Sequence, residues 1–202
     1  MNSEKQQYIT IGDVLNHARI LISYNDARIL LQNALKISHA CIITHPEKNL
    51  TPIQIHTFQL LVKRRASGEP VSYILGECEF YSIKFKVTPS VLIPRPETEL
   101  LVDLALEKVS LGMSCEILDL GTGSGAIAIA IAKHRALSNV TAADNSADAI
   151  AIAKTNAEYL SVNNVHFIKS DWFGELARKK FDLIISNPPY IALNDPHLNQ
   201  KE

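Results

Sequence analysis

The sequence predicts an α/β protein in which a small all-helical segment precedes a parallel sheet. Two patterns support this. From Glu116 onward, short apolar runs alternate with helical runs, and a glycine triplet stands between the first run and the helix after it. Before Pro70, apolar residues recur at helical spacing and no strand pattern interrupts them. Short apolar strands joined by helices read as a parallel sheet covered on both faces.

The elements follow in order. Thr10 is a natural cap for a helix whose apolar positions are Ile11, Val14, Leu15, Ala18, Leu21 and Ile22. After Asn25, a second helix gathers Ala27, Leu30, Leu31, Ala34 and Leu35 on one face, and a short third segment surrounds Ala40 to Ile43. Thr51-Pro52 is a strong helix start, because threonine caps free amides and proline at the first position forfeits no hydrogen bond. That helix runs to Lys63-Arg64-Arg65, whose charges complement a helix C-terminus, and Gly68 ends it. Beyond Pro70, the residues Phe80, Tyr81, Ile83, Phe85 and Val87 alternate as in a hairpin or extended linker. The prolines of Leu92-Ile93-Pro94-Arg95-Pro96 forbid helix until Glu97, from which one runs to about Val109. Strands are expected at 117–120, 140–143, 165–168 and 181–186, with helices at 126–134 and 147–160. The implied domains are a helical part over 1–75, a hairpin linker over 76–96 and the α/β part over 97–202.

Composition narrows the class. The chain has 202 residues, 47% hydrophobic and 20% charged, with a formal net charge of -1. That suits a globular protein with a core, and it lacks the basic balance that counterion release favours in nucleic-acid binders. Cys41, Cys78 and Cys115 are widely spaced and form no CxxC pair, so they read as buried thiols of a reducing compartment. The seven histidines show no metal-ligand spacing, and no metal is expected. The N-terminus lacks an apolar signal region and no apolar run is long enough to span a bilayer, so a cytoplasmic protein is expected.

Two motifs carry chemistry. The first strand ends in Asp119-Leu120-Gly121-Thr122-Gly123-Ser124-Gly125. A dinucleotide fingerprint has its third glycine one position later, where this chain has Ala126. The GxGxG spacing therefore fits S-adenosylmethionine, whose amino-acid part carries no pyrophosphate, better than NAD. Asp144 ends the second strand, nineteen residues after Gly125, and a carboxylate there accepts from ribose hydroxyls; the alternatives are a helix cap or a solvated turn. Asp171-Trp172 follows the third strand, where a carboxylate suits an adenine amino group and a flat ring packs on the base; otherwise the tryptophan belongs to the core.

The fourth strand ends in Ser186-Asn187-Pro188-Pro189-Tyr190, at the sheet end where such folds bind ligands. The nitrogen of a planar amide or amine is a poor nucleophile because its lone pair is delocalised. Two acceptors aimed at its N–H groups, the Asn187 side-chain oxygen and the Pro188 carbonyl, orient it towards a methyl donor. Proline holds that carbonyl rigidly, and the Tyr190 ring stacks on the planar group. The bland alternative is a proline-rich loop that stops a strand.

Together, NPPY and GxGxG resemble enzymes that methylate planar nitrogens in DNA, ribosomal RNA or protein. The stretch from Glu79 to Val102 (EFYSIKFKVTPSVLIPRPETELLV) resembles the release factor glutamine methyltransferases of the HemK/PrmC type. The resemblance implies a Rossmann-like S-adenosylmethionine-dependent domain preceded by a helical domain and a hairpin. It implies methyl transfer to the glutamine of the Gly-Gly-Gln loop in class I peptide chain release factors, with the helical domain docking the factor and no nucleic acid, no membrane and a monomer expected. Gly121, Thr122, Gly123, Ser124, Gly125, Asp144, Asp171, Trp172 and Asn187 fall on cofactor positions. Asn187, Pro188, Pro189 and Tyr190 fall on substrate positions, with Asn187, Pro188 and Tyr190 catalytic. Arg95 and Glu97 are expected near the site entrance. Three departures stand out. Ser82 replaces a frequent glycine, and Asn145 replaces an apolar residue that packs on adenine. The family's sheet continues through three more strands, so the sequence reads as a chain cut short, with an exposed fourth-strand edge and poor activity alone. The alternatives are a base methyltransferase acting on DNA adenine or ribosomal RNA, and a non-catalytic binding fragment.

Overall fold

The computed structural model describes residues 9–177 and 179–188 and divides the chain into two compact units, with the boundary between Leu75 and Gly76. The first unit is helical. It contains α1 (Ile11–Ala18), α2 (Tyr24–Leu35), α3 (His39–Thr44), α4 (Pro52–Ala66) and α5 (Val71–Leu75). Thr10 and Thr51 both close capping boxes, with Asp13 and Gln54 respectively. Each threonine hydroxyl accepts a free amide at the helix start, and the partner side chain accepts the threonine's own amide. At the other end of α4, Gly68 takes a left-handed conformation, Arg64 pairs with Glu69, and Arg65 reaches Asp26 at 2.9 Å. The core of this unit gathers Ile11, Leu30, Leu31 and Phe58, all almost fully buried.

Two sequence expectations change here. α1 stops at Ala18, and Leu21 lies exposed in the following turn, because the chain must turn back for Ser23 to cap α2. The short helix α5 was hidden because five residues are too few to show a period.

The second unit begins with a hairpin, β1 (Glu77–Phe80) and β2 (Ile83–Lys86), turned by Tyr81 and Ser82, both at positive φ. A single 3-10 turn at Pro96–Thr98 leads into α6 (Glu99–Lys108), two residues later than the α-helix start expected from the prolines. Then β3 (Glu116–Leu120), α7 (Ala126–His134), β4 (Asn139–Asp144), α8 (Ala147–Tyr159), β5 (Val165–Lys169) and β6 (Leu183–Ser186) follow. The fourth sheet strand starts at Leu183 rather than Phe181. Asp182 is polar and exposed, and its carboxylate accepts the Glu116 amide at 2.8 Å just outside the strand.

The four strands β3 to β6 are parallel, in the order β5-β4-β3-β6. The chain steps outward from β3 to β4 to β5 and then returns to the far side of β3, so the order reverses between β3 and β6. Ligands bind at such a reversal, beyond the carboxyl ends of the strands. β6 is an edge strand among the described residues, with Ile184 half exposed. One sheet face places Ile117, Val140, Val165 and Ile185 in a core with the hairpin, α6 and the apolar stretch of α7 from Ala126 to Ala132. The other face packs Leu118, Leu120 and Ala143 with Leu176.

Only Cys115 of the three cysteines is buried; Cys41 and Cys78 are partly exposed, which corrects the expectation of three buried thiols. Burial, with the neighbouring Glu77 charge, still pushes the Cys78 thiol up to about 11. Among the described residues, no helix is long and apolar enough to cross a membrane, and no group of three metal-ligating side chains occurs.

Candidate active site

A cleft of about 440 Å³ opens at the carboxyl ends of β3, β4 and β6. Small-molecule pockets usually span roughly 300–1,000 Å³. The glycine loop, the ends of two neighbouring strands and the segment before α6 surround it.

The glycine loop is built from the backbone outward. Gly121 and Thr122 donate their amides to the Ala143 carbonyl at 2.9 and 3.0 Å, which ties the loop to β4. Gly123 takes φ 54° and donates its amide to Asp144 Oδ2 at 2.9 Å. A Cβ at Gly125 would lie 2.9 Å from the Ile129 side chain and 3.0 Å from Ala153 on α8, at a φ of +81°. The third glycine is therefore required twice, by its conformation and by the close approach of α8.

Asp144 uses both oxygens on the backbone. Oδ2 holds Gly123, and Oδ1 accepts the Ser146 amide at 2.9 Å at the cap of α8. A carboxylate has about four acceptor sites, so two remain for a ligand's hydroxyl pair. The capping and ligand-binding readings of this residue are thus compatible.

Asp171 and Trp172 follow β5 and line the same cleft. Trp172 is 57% exposed, which removes the core reading of that residue. Its φ of 48° is unusual for a bulky side chain, and strain of this kind gathers at binding loops. Asn145 and Arg95 also line the cleft; Glu97, in the same turn as Thr98, is exposed. Across the cleft, Ser186 donates its hydroxyl to the Leu120 carbonyl at 2.9 Å and holds the end of β6. Asn187 and Pro188 follow it into the cleft. Pro189 and Tyr190 lie outside the described residues.

The architecture thus brings Gly121, Thr122, Gly123, Ser124, Asp144, Asp171, Trp172, Asn187 and Pro188 together. Gly125, outside the cleft lining, ends the loop at the start of α7. The donors and acceptors suit a nucleoside joined to a zwitterionic tail: open backbone at Gly121 and Gly123, a carboxylate with spare lone pairs, and an exposed flat ring.

Residues 96–200 match the methyltransferase small domain. The chain belongs to that family. Residues 11–76 match the PrmC N-terminal domain. Among curated relatives, the release factor glutamine methyltransferase of Vibrio cholerae is 48% identical over 175 residues, covering 86% of this chain and 61% of the relative. That of Escherichia coli K12 is 44% identical, covering 87% and 63%. The chain therefore spans less than two thirds of the length of these relatives. Among solved structures, the ribosomal protein L11 methylase of Lactobacillus delbrueckii subsp. bulgaricus aligns over 46% of this chain and 47% of its own, with 31% identity and a TM-score of 0.41.

Three supporting residues of this methyltransferase domain had no role assigned from sequence. Asp119 is fully buried beneath the loop, and its Oδ2 accepts the Thr122 hydroxyl at 2.6 Å while Oδ1 has no hydrogen-bond partner. Burial pushes its carboxyl up to about 6, against the opposing pull of the Thr122 hydroxyl and the Ala128 amide; the Asp144 charge adds to the rise. Asn156, also fully buried, accepts the Lys86 amide at 2.7 Å and donates to the Lys86 and Ser124 carbonyls at 3.0 and 2.9 Å. It joins the hairpin to the glycine loop. A polar residue within the apolar stripe of Ala149, Ile150, Ala153 and Ala157 was the signal available in the sequence. The third is Thr98, which accepts a hydrogen bond from Asn187 Nδ2 at 3.0 Å.

Proposed function

We propose that this chain is the cofactor- and target-binding part of a peptide chain release factor glutamine methyltransferase. The observation that carries the reading is the convergence of the glycine loop, Asp144, Trp172 and Asn187-Pro188 on one cleft at the sheet's reversal point. The names of the relatives support the substrate.

Bound S-adenosylmethionine supplies an electrophilic methyl group. The chain's residues bind and orient. Open backbone at Gly121 and Gly123 accommodates the amino-acid tail, Asp144 accepts from the ribose hydroxyls, and Asp171 and Trp172 receive the adenine. Asn187 Oδ1 and the Pro188 carbonyl accept from the two N–H groups of the target glutamine amide and aim its nitrogen. Pro189 and Tyr190, which lie outside the described residues, complete the target motif in the sequence. Catalysis is then positioning together with preorganised acceptors, and the surplus proton leaves after transfer. The helical segment over 1–75 docks the release factor, the hairpin over 76–96 links it to the domain over 97–202, and the reaction is cytoplasmic.

The test is methyl transfer from labelled S-adenosylmethionine to a purified release factor, beside a factor whose Gly-Gly-Gln glutamine is replaced by alanine. Label on the wild-type factor alone supports the proposal. Label on DNA or ribosomal RNA instead would overturn the substrate.

A further inference from the structure

Thr98 stands where a helix cap is expected, at the start of α6, yet it makes no capping hydrogen bond. Its backbone is in the right-handed helical region, φ -71° and ψ -17°, whereas a capping residue is typically extended. Its hydroxyl instead accepts a hydrogen bond from Asn187 Nδ2 at 3.0 Å, across 89 residues of sequence. Both residues are half-buried and both line the cleft.

Each end of this bond is independently held. Thr98 donates its amide to the Arg95 carbonyl at 3.0 Å, which closes the 3-10 turn. The next residue, Glu99, accepts the Tyr81 amide at 2.7 Å and fastens the turn to the hairpin. On the other side, Ser186 is paired with Leu120 in the sheet register, and its hydroxyl donates to the Leu120 carbonyl.

A primary amide has two faces of opposite chemistry: Oδ1 accepts and Nδ2 donates. A target that offers N–H groups is recognised only by Oδ1, and a flipped side chain would set donor against donor. With Nδ2 engaged by Thr98, Oδ1 is the end left for the target. We propose that Thr98 is a positioning residue that holds the Asn187 side-chain amide in the orientation able to accept from the target amide. The inference rests on the reading of Asn187 given under Proposed function.

The test compares Thr98→Val, which keeps the shape and removes the hydroxyl, with Thr98→Ser, which keeps the hydroxyl. Side-chain amide NMR of Asn187 is followed in each 202-residue chain, together with S-adenosylmethionine affinity and methyl transfer. In the wild type and Thr98→Ser, one Asn187 Nδ2 proton is expected to exchange slowly with solvent; in Thr98→Val both should exchange fast. Misplacement of a catalytic group can cost up to about a hundredfold in rate. The Val variant should therefore lose about tenfold or more in kcat with KM nearly unchanged, and the Ser variant should recover most of it. Equal proton exchange in the Val variant, or an unchanged kcat, would overturn the role of Thr98. Absence of transfer in the wild type speaks against the enzymatic reading alone, and the exchange measurement still decides whether Thr98 holds Asn187.

Discussion

Replacing Asn156 by alanine is expected to loosen the methyltransferase unit and its glycine loop together. The residue is fully buried, and its one amide meets three backbone groups: the Lys86 amide at 2.7 Å, the Lys86 carbonyl at 3.0 Å and the Ser124 carbonyl at 2.9 Å. Alanine leaves all three without these partners. A net contribution of about 1 kcal/mol for each bond, with more for an abandoned buried donor, gives a loss of about 3 kcal/mol. With a urea slope of roughly 2 kcal/mol per molar, the unfolding midpoint should fall by about 1.5 M. Asn156→Asp should be no better, because it keeps the acceptor for Lys86 but turns a carboxylate towards two carbonyls. Urea melts followed by circular dichroism measure the first effect. Titration of Trp172 fluorescence with S-adenosylmethionine measures the second, since Ser124 belongs to the loop. A midpoint within about 0.3 M of wild type would refute the reasoning, because backbone groups so enclosed could not have found other partners without a visible cost.

Two further outcomes follow from charge and backbone geometry. The Asp119 carboxyl, held at about 6 by burial, binds its proton more tightly in the folded chain than at its unfolded value near 3.9. Its contribution therefore lowers stability as pH rises from about 4 through about 6, by an order of 3 kcal/mol in full above that range. Asp119→Asn should flatten this slope in denaturant melts at pH 4 to 7, and parallel curves for the two proteins would count against it. Ser82 sits at φ 57° in the hairpin turn, a conformation that costs a side chain about 1–2 kcal/mol and glycine little. After the entropy that glycine adds to the unfolded state, Ser82→Gly should stabilise by about 0.5–1 kcal/mol. A fall in melting temperature would show that the serine is held by something other than the turn.

Local rules accounted for much of the molecule. The capped starts at Thr10 and Thr51, the period-two runs of the hairpin, and the Ala- and Ile-rich α7 depend on neighbours a few residues away, and the structure has them as read. The glycine turn likewise stands between β3 and α7, with Gly121, Gly123 and Gly125 all at positive φ. Errors fell where the local signal was short or shared. Five residues of α5 cannot display a period, and Leu21 and Ile22 kept the helical spacing of α1 although a turn intervenes.

By itself, then, the sequence determined the order of the elements other than α5, the parallel character of the sheet and the residue types at the strand ends. These are encoded by periodicity, by glycine and proline, and by position relative to a strand. Only the tertiary structure decided how the strand ends meet. The reversal between β3 and β6 places Asn187 beside the glycine loop, 66 residues after its first glycine. It also decided that Thr98 engages Asn187, that Asn156 joins the hairpin to the loop, and that Asp119 is buried beneath it. No local rule contains those pairings, because each depends on burial and on a hydrogen-bond partner that the fold brings near from a distant part of the chain.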